Sequence, residues 1–351
     1  MRTKNTKHKS MNANKKLVVI VIVSIVVLVG LPVLVILSSR MNNFFGQAAG
    51  SAVVEAESGT RAGTITEVAD ASASGGRYIR IGVIATPTAA PVSNTNSLRF
   101  FGAQDNDIDR VKIPLTLNRT IDVANSFTLE WWMKTGTGNT GGTCTSGAAG
   151  VGDYDWITGN VLFDRDIDAA GDYGKYGISL IPSEGGRISY GVAVGASKSN
   201  ICSTATVANG AWHHVAATRN GTTGQICLFV NGAANGCKNG PAGDISYRDA
   251  RTAGMPNDSY FVIGAEKHDY ASPDTGFRGW IDEVRISNTV RYTAAFTRPT
   301  APFQADANTV ALYHMDASAG TTVEDTTGGN NGVLRVGGTS NGPQWSTDKP
   351  F

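Results

Sequence analysis

The chain has 351 residues, of which 42 are glycine and only 17% are charged, with a formal net charge of +1. Abundant glycine with few charges suits many short strands joined by tight turns and argues against a helical bundle. A net charge this close to zero excludes a global field that would gather nucleic acid or an acidic substrate.

The charges that exist are unevenly placed. Arg2, Lys4, Lys7, Lys9, Lys15 and Lys16 crowd the segment 1–16, which carries no acid. Residues 17–37 are then uncharged, a Val/Ile/Leu run broken only by Ser24, Gly30 and Pro32. As a helix, ~21 residues rising 1.5 Å each span the ~30 Å of a hydrocarbon core. The run therefore predicts one transmembrane helix, with 1–16 as a cytoplasmic basic tail and the C-terminal bulk extracellular at the cell membrane. A cleaved secretory signal is the rival reading, because Gly30 and Pro32 could shorten the apolar core and Gln47-Ala48-Ala49-Gly50 offers small residues. Both readings export the rest of the chain.

Residues 38–96 read as a stalk. A short strand-rich part at 53–82 has candidate strands at 53–57, 64–68 and 78–81, with Ser74-Gly75-Gly76 as a turn. A Pro/Thr/Ala linker follows at 83–96. From Ser97 the pattern becomes repeated strands separated by turn signals. In 127–134, Phe127, Leu129, Trp131 and Met133 fall on one face and Thr128, Glu130, Trp132 and Lys134 on the other. Further strands are predicted at 98–100, 161–163, 176–180, 187–192, 213–218, 226–230, 261–263, 281–286, 310–314 and 333–336. Many short strands without a convincing amphipathic helix predict an all-β sandwich or jelly roll over 97–351.

Four cysteines, Cys144, Cys202, Cys227 and Cys237, fit an oxidising compartment. The strand ending at Val230 runs into Asn231-Gly232, a type I′ hairpin signal. Across that turn Cys227 faces Gly236, and a bulge would bring Cys237 within bonding reach, which leaves Cys144 for Cys202. A zinc site is the alternative, but the chain has no Cys-x-x-Cys pair.

Several segments in order resemble the laminin-G-like jelly-roll family of the concanavalin A-like lectin/glucanase superfamily. They are SLRFFG (97–102), SFTLEWWMK (126–134), ANGAWHHVAATRNG (208–221), ICLFVNG (226–232), FVIGAEK (261–267) and FRGWIDEVRIS (277–287). The segment 311–334 resembles one that accompanies such domains and is expected to supply closing strands. Glu55-Ala56-Glu57-Ser58-Gly59 with the segment 73–78 resembles the opening of family 6/35 carbohydrate-binding modules. The resemblance implies a concanavalin A-like jelly roll that binds polysaccharide, glycoprotein or a cell-surface protein without catalysis. A structural surface domain is the alternative.

It also implies a cation. Similar proteins called pentraxins hold calcium with loop acids, and the matching positions here are Asp172, Glu266 and Asp269, with Lys267 interrupting the pattern. A second alternative is a glycoside hydrolase, which needs two carboxylates on one face. Asp164, Asp166 and Asp168 supply three if they lie on a strand, but the following Ala-Ala-Gly-Asp reads as a loop. Trp212, His213 and His214 look like a catalytic or metal motif, yet neighbours on a strand alternate faces. One histidine is expected to pack in the sandwich and the other to cap a loop. Asp282, Glu283 and Arg285 are read the same way, as a salt bridge or turn anchor.

Overall fold

The computed structural model describes residues 65–69, 77–81, 93–103, 106–115, 119–123, 125–144, 155–166, 175–195, 197–246, 257, 259–269 and 276–351. The expected tail 1–16, membrane run 17–37 and strand 53–57 lie outside them, as do Asp168 and Asp172. Among the described residues no helix is long and apolar enough to cross a membrane. The chain divides into two units, Met1–Ala90 and Pro91–Phe351. In the first, β1 (Ile65–Ala69) pairs antiparallel with β2 (Arg77–Ile81).

The second unit is a jelly-roll-like sandwich of two antiparallel sheets. Its strands are β3 (Ser97–Phe101), β4 (Arg110–Pro114), β5 (Phe127–Lys134), β6 (Asn160–Arg165), β7 (Lys175–Ile181) and β8 (Arg187–Val194). Then come β9 (Ser197–Thr206), β10 (Trp212–Arg219), β11 (Gln225–Val230), β12 (Ala233–Asn239), β13 (Tyr260–Ile263) and β14 (Arg278–Ser287). The last are β15 (Thr309–Tyr313), β16 (Thr322–Val323), β17 (Gly332–Arg335) and β18 (Gln344–Ser346). One sheet runs β12-β11-β10-β5-β14-β3-β18, with β15 also on β14; the other runs β16-β17-β4-β13-β6-β7-β8-β9.

Alternation decides what each strand buries. Phe127, Leu129, Trp131 and Met133 of β5 join one core with Phe163, Tyr176 and Phe261 from the facing sheet. Trp131 meets Phe163 edge-on at 4.8 Å between centroids, the offset geometry aromatic quadrupoles favour. Trp156 lies across β7 and β8 where Gly177 faces Gly191, and a Cβ on Gly177 would stand 2.2 Å from the indole. Only glycine leaves that slot open.

The hairpin at Asn231-Gly232 forms as the sequence predicts, with φ of 51° and 79°. Cys227 stands opposite Cys237, with the bulge in the partner register just beyond it, and the two are joined. Cys144 is joined to Cys202. Among the described residues no cysteine is free.

One expectation needs correcting. Strand 281–286 does not alternate throughout: a bulge breaks the register between Asp282 and Arg285, and Glu283 takes φ of 48°. The bulge falls where the two neighbours of β14 on one edge change over. Ile281 still pairs with Leu98 of β3, whereas Val284 pairs with Tyr313 of β15.

Candidate functional site

The acids singled out from the sequence meet at the ends of β6 and β13. Val262 pairs with Asp164, so the turn after β13 lies beside the end of β6. Asp164 Oδ1 accepts the Asp166 backbone N–H at 2.7 Å, and its Oδ2 accepts that of Lys267 at 2.9 Å. Burial, reinforced by the Glu266 charge, pushes its carboxyl up to about 6. Asp166 pairs with Lys175 at 3.1 Å. Glu266 accepts both the backbone N–H of His268, at 2.9 Å, and its ring Nδ1, at 3.0 Å. Burial alone would lower the His268 pKa, but the Glu266 hydrogen bond and the Asp164 charge outweigh it and raise the imidazole to about 9.

Asp269 is held separately. Its Oδ1 takes the Arg110 guanidinium at 2.6 Å and its Oδ2 takes the Asp107 backbone N–H at 3.0 Å. The structure thus brings Asp164, Asp166 and Glu266 together, which the sequence divided between a hydrolase reading and a calcium reading. Asp164, Asp166 and Glu266 are buried, and each of the four acids already has partners within the chain.

The histidine pair divides differently from expectation. His213 does cap loops: Asn231 Nδ2 donates to its Nδ1 at 2.9 Å, and its Nε2 donates to Asn209 Oδ1 at 2.9 Å. His214 does not enter the sandwich core. It lies on the outer face, 3.2 Å from Glu130 Oε2, where Arg285 and Tyr292 also converge on that carboxylate. Burial raises the pKa of Glu130, but the His214 hydrogen bond and the Arg285 charge outweigh it and leave it lowered. Of the acids read as anchors, Asp282 accepts Asn94 Nδ2 at 2.7 Å and Glu283 accepts the Phe303 backbone N–H at 2.8 Å. Arg285 serves Glu130. All three hold neighbouring segments, as expected of anchors.

A feature that sequence reading missed crosses the outer face of the same sheet. Gln344, Arg99, Trp280, Lys134 and Trp212 stand opposite one another in turn, one from each of β18, β3, β14, β5 and β10. Paired residues project from the same face, so the five form one row, ~19 Å long at the usual strand spacing. The Arg99 guanidinium lies 4.8 Å from the Trp280 ring centre and 4.7 Å from that of Phe101, and Lys134 Nζ lies 5.3 Å from Trp280. Trp280 Nε1 donates to Ser346 Oγ at 3.0 Å, and Trp212 Nε1 donates to Asp348 Oδ1 at 2.9 Å. Both indoles are thereby fixed while staying half-buried, and Arg99 and Gln344 are exposed.

The two-sheet fold defines a laminin-G-like jelly roll. The sequence profile of the concanavalin A-like lectin/glucanases superfamily matches residues 105–295, and the chain belongs to that family. No curated protein matches it. Among solved structures it is similar to a candidate carbohydrate binding protein from Bacteroides ovatus ATCC 8483, at 19% identity over 69% of this chain, with a TM-score of 0.45. The chain covers 58% of that protein's length. It is also similar to the heptameric SAP-like pentraxin of Limulus polyphemus, at 15% identity over 62% of this chain and 95% of that one, with a TM-score of 0.39. For domains LG4-5 of the mouse laminin α1 chain the values are 12%, 62%, 50% and 0.37.

Proposed function

We propose that the Pro91–Phe351 unit is a carbohydrate-binding module without catalysis, and that a glycan lies along the outer row from Gln344 to Trp212. The observation that carries this reading is the fixed Trp280 ring flanked by Arg99 and Lys134. The C–H face of a sugar is apolar enough to stack on an aromatic ring, while its hydroxyls need donors and acceptors at the rim. Arg99, Lys134 and Gln344 supply them. An open row suits a chain of several sugars better than a single one. Val333 and Val336 are the exposed large hydrophobics among the described residues, too few to make the apolar patch a protein partner would favour. The internal partners of Asp164, Asp166 and Glu266 support binding over hydrolysis, because a glycosidase needs a free pair of facing carboxylates.

The test is a glycan array and a polysaccharide pull-down with the full chain and its Trp280→Ala variant. Losing one stacked ring, worth about 1.4 kcal/mol, should weaken binding about tenfold. Equal binding by parent and variant would remove the row from the reading. Sugar release from the polysaccharide, abolished by Asp164→Asn, would overturn the absence of catalysis.

Display outside the cell is part of the same proposal and rests on the uncharged run 17–37 behind its lysines. Protease added to intact cells should remove the C-terminal unit and leave a small membrane-held stub. A protected C-terminal unit reverses the orientation. Calcium at Asp172, Glu266 and Asp269 stays a proposal too. The loops that carry the last two acids lie beside the end of β6, and the same array run with calcium and with chelator tests it.

A further inference from the structure

The bulge in β14 gathers ligands from three strand ends. Glu283 sits in the bulge, His314 and Asp316 lie just past β15, and Asn94 to Asn96 lead into β3. Glu283, His314 and Asp316 each offer a ligand atom, and these lie within 4.8 Å of one another. Among the described residues this is the group of histidine and carboxylate ligands so placed. Glu283 is fully buried and His314 is 8% exposed. His314 Nδ1 and Glu283 Oε1 are 2.8 Å apart.

The remaining atoms of these side chains are held by the fold. Glu283 Oε2 accepts the Phe303 backbone N–H at 2.8 Å. Asp316 Oδ1 accepts the backbone N–H groups of Thr95 and Asn96, at 2.5 and 3.1 Å. Such outer contacts orient metal ligands and leave their other oxygens to face inward.

Asn94 gives an independent pointer. It is 8% exposed, and its Oδ1 has no hydrogen-bond partner. Its Nδ2 is fixed to Asp282 Oδ2 at 2.7 Å, next to Glu283, and the next residue along is bound to Asp316. The amide is thus held between two of the ligand-bearing segments with an acceptor oxygen unspent. A buried acceptor without a donor is costly unless something positive meets it.

We propose that Glu283, His314, Asp316 and the Asn94 Oδ1 form a site for a divalent first-row transition ion of the zinc type. The ion takes the place of the proton between His314 Nδ1 and Glu283 Oε1, and the bound imidazole is neutral with its remaining proton on Nε2. An imidazole with carboxylate oxygens suits zinc, whereas calcium takes six to eight oxygens. Ligands in a zinc tetrahedron stand ~3.4 Å apart, so the wider separations, up to 4.8 Å, close on binding while the 2.8 Å His314–Glu283 pair opens slightly. The site pins the incoming segment 94–96 to β14 and β15, where the chain enters the sandwich. It is independent of the sugar row and of the Glu266 loop.

The experiment uses the full chain, stripped with chelator and titrated separately with zinc and with calcium. Metal content is measured by mass spectrometry, and a thermal melt is recorded at each step. The expected result is one zinc per chain, a rise in melting temperature with zinc, and at least 100-fold weaker zinc binding in His314→Gln. That variant keeps a donor for Glu283, and Asp316→Asn, which keeps the oxygen that caps Thr95 and Asn96, guards against misfolding of either. Trp280→Ala should bind zinc as the parent does. Zinc binding unchanged in both His314→Gln and Asp316→Asn overturns the site, as does a parent that takes up no zinc. Zinc binding lost in Glu266→Gln but kept in His314→Gln moves the ion to the other loop and also overturns it.

Discussion

Glu130→Ala should destabilise the folded chain by about 3–5 kcal/mol, the usual cost of removing one partner from a buried charged network. Glu130 is wholly buried on β5, on the face away from the main core. Its Oε1 takes Arg285 Nη2 at 2.8 Å, and its Oε2 takes the Tyr292 hydroxyl at 2.8 Å and His214 at 3.2 Å. The strand was read as two-faced, and the structure adds a second covering layer over that other face. Thr128 Oγ1 donates to the Thr289 carbonyl, and Tyr292 stacks on Phe296 at 3.6 Å. Without the carboxylate, Arg285 keeps its charge under that layer and loses its counter-ion. Urea denaturation should show a lower midpoint with an unchanged slope. If the two single changes share one network, Glu130→Leu combined with Arg285→Met should cost less than their sum. A cost under ~1 kcal/mol for Glu130→Ala would mean that water, not protein, solvates this group.

Opening the Cys144–Cys202 bond should be the second large loss, about 4 kcal/mol, because it closes 58 residues of chain. The Cys227–Cys237 bond closes only 10 residues, which the same chain-entropy relation puts at about 2.7 kcal/mol. Paired serine variants measured by denaturation should rank in that order. The reverse order would show that the hairpin bond acts through the native state rather than by restricting the unfolded chain.

The parts of the fold that could be read ahead are those whose signal is local. Alternation marked β5, and Asn231-Gly232 fixed a hairpin and, through it, a disulfide. β9 was missed because SKSNICSTAT has no apolar alternation; it forms at the sheet edge against β8. β4 is brief, with only Val111 and Ile113 to mark it, and β18 is three residues long. Closing strands were anticipated in 311–334, and β15 to β17 form there or within a residue or two of it. The candidate sites were less legible for a different reason. Arg99 meets Trp280 only because β3 and β14 pair across the length of the chain. Asn94 reaches Asp282 over a separation of 188 residues. No local pattern encodes such a register. His214 was legible as structural, but its placement outside the core was not, because the covering segment at 288–304 carries little periodicity of its own.

The hydrogen bond from Ser97 Oγ to the Asp348 carbonyl, 2.6 Å long, joins the first residue of β3 to a residue just past β18. The strand that opens the sandwich and the one that closes it are therefore neighbours. Two consequences follow for anything attached at these points. The unit can be spliced into a surface loop of another protein without stretching the host, since its two ends need only a narrow gap. A pull applied across those ends travels through a few residues of β3 and β18 and bypasses the rest of the sandwich.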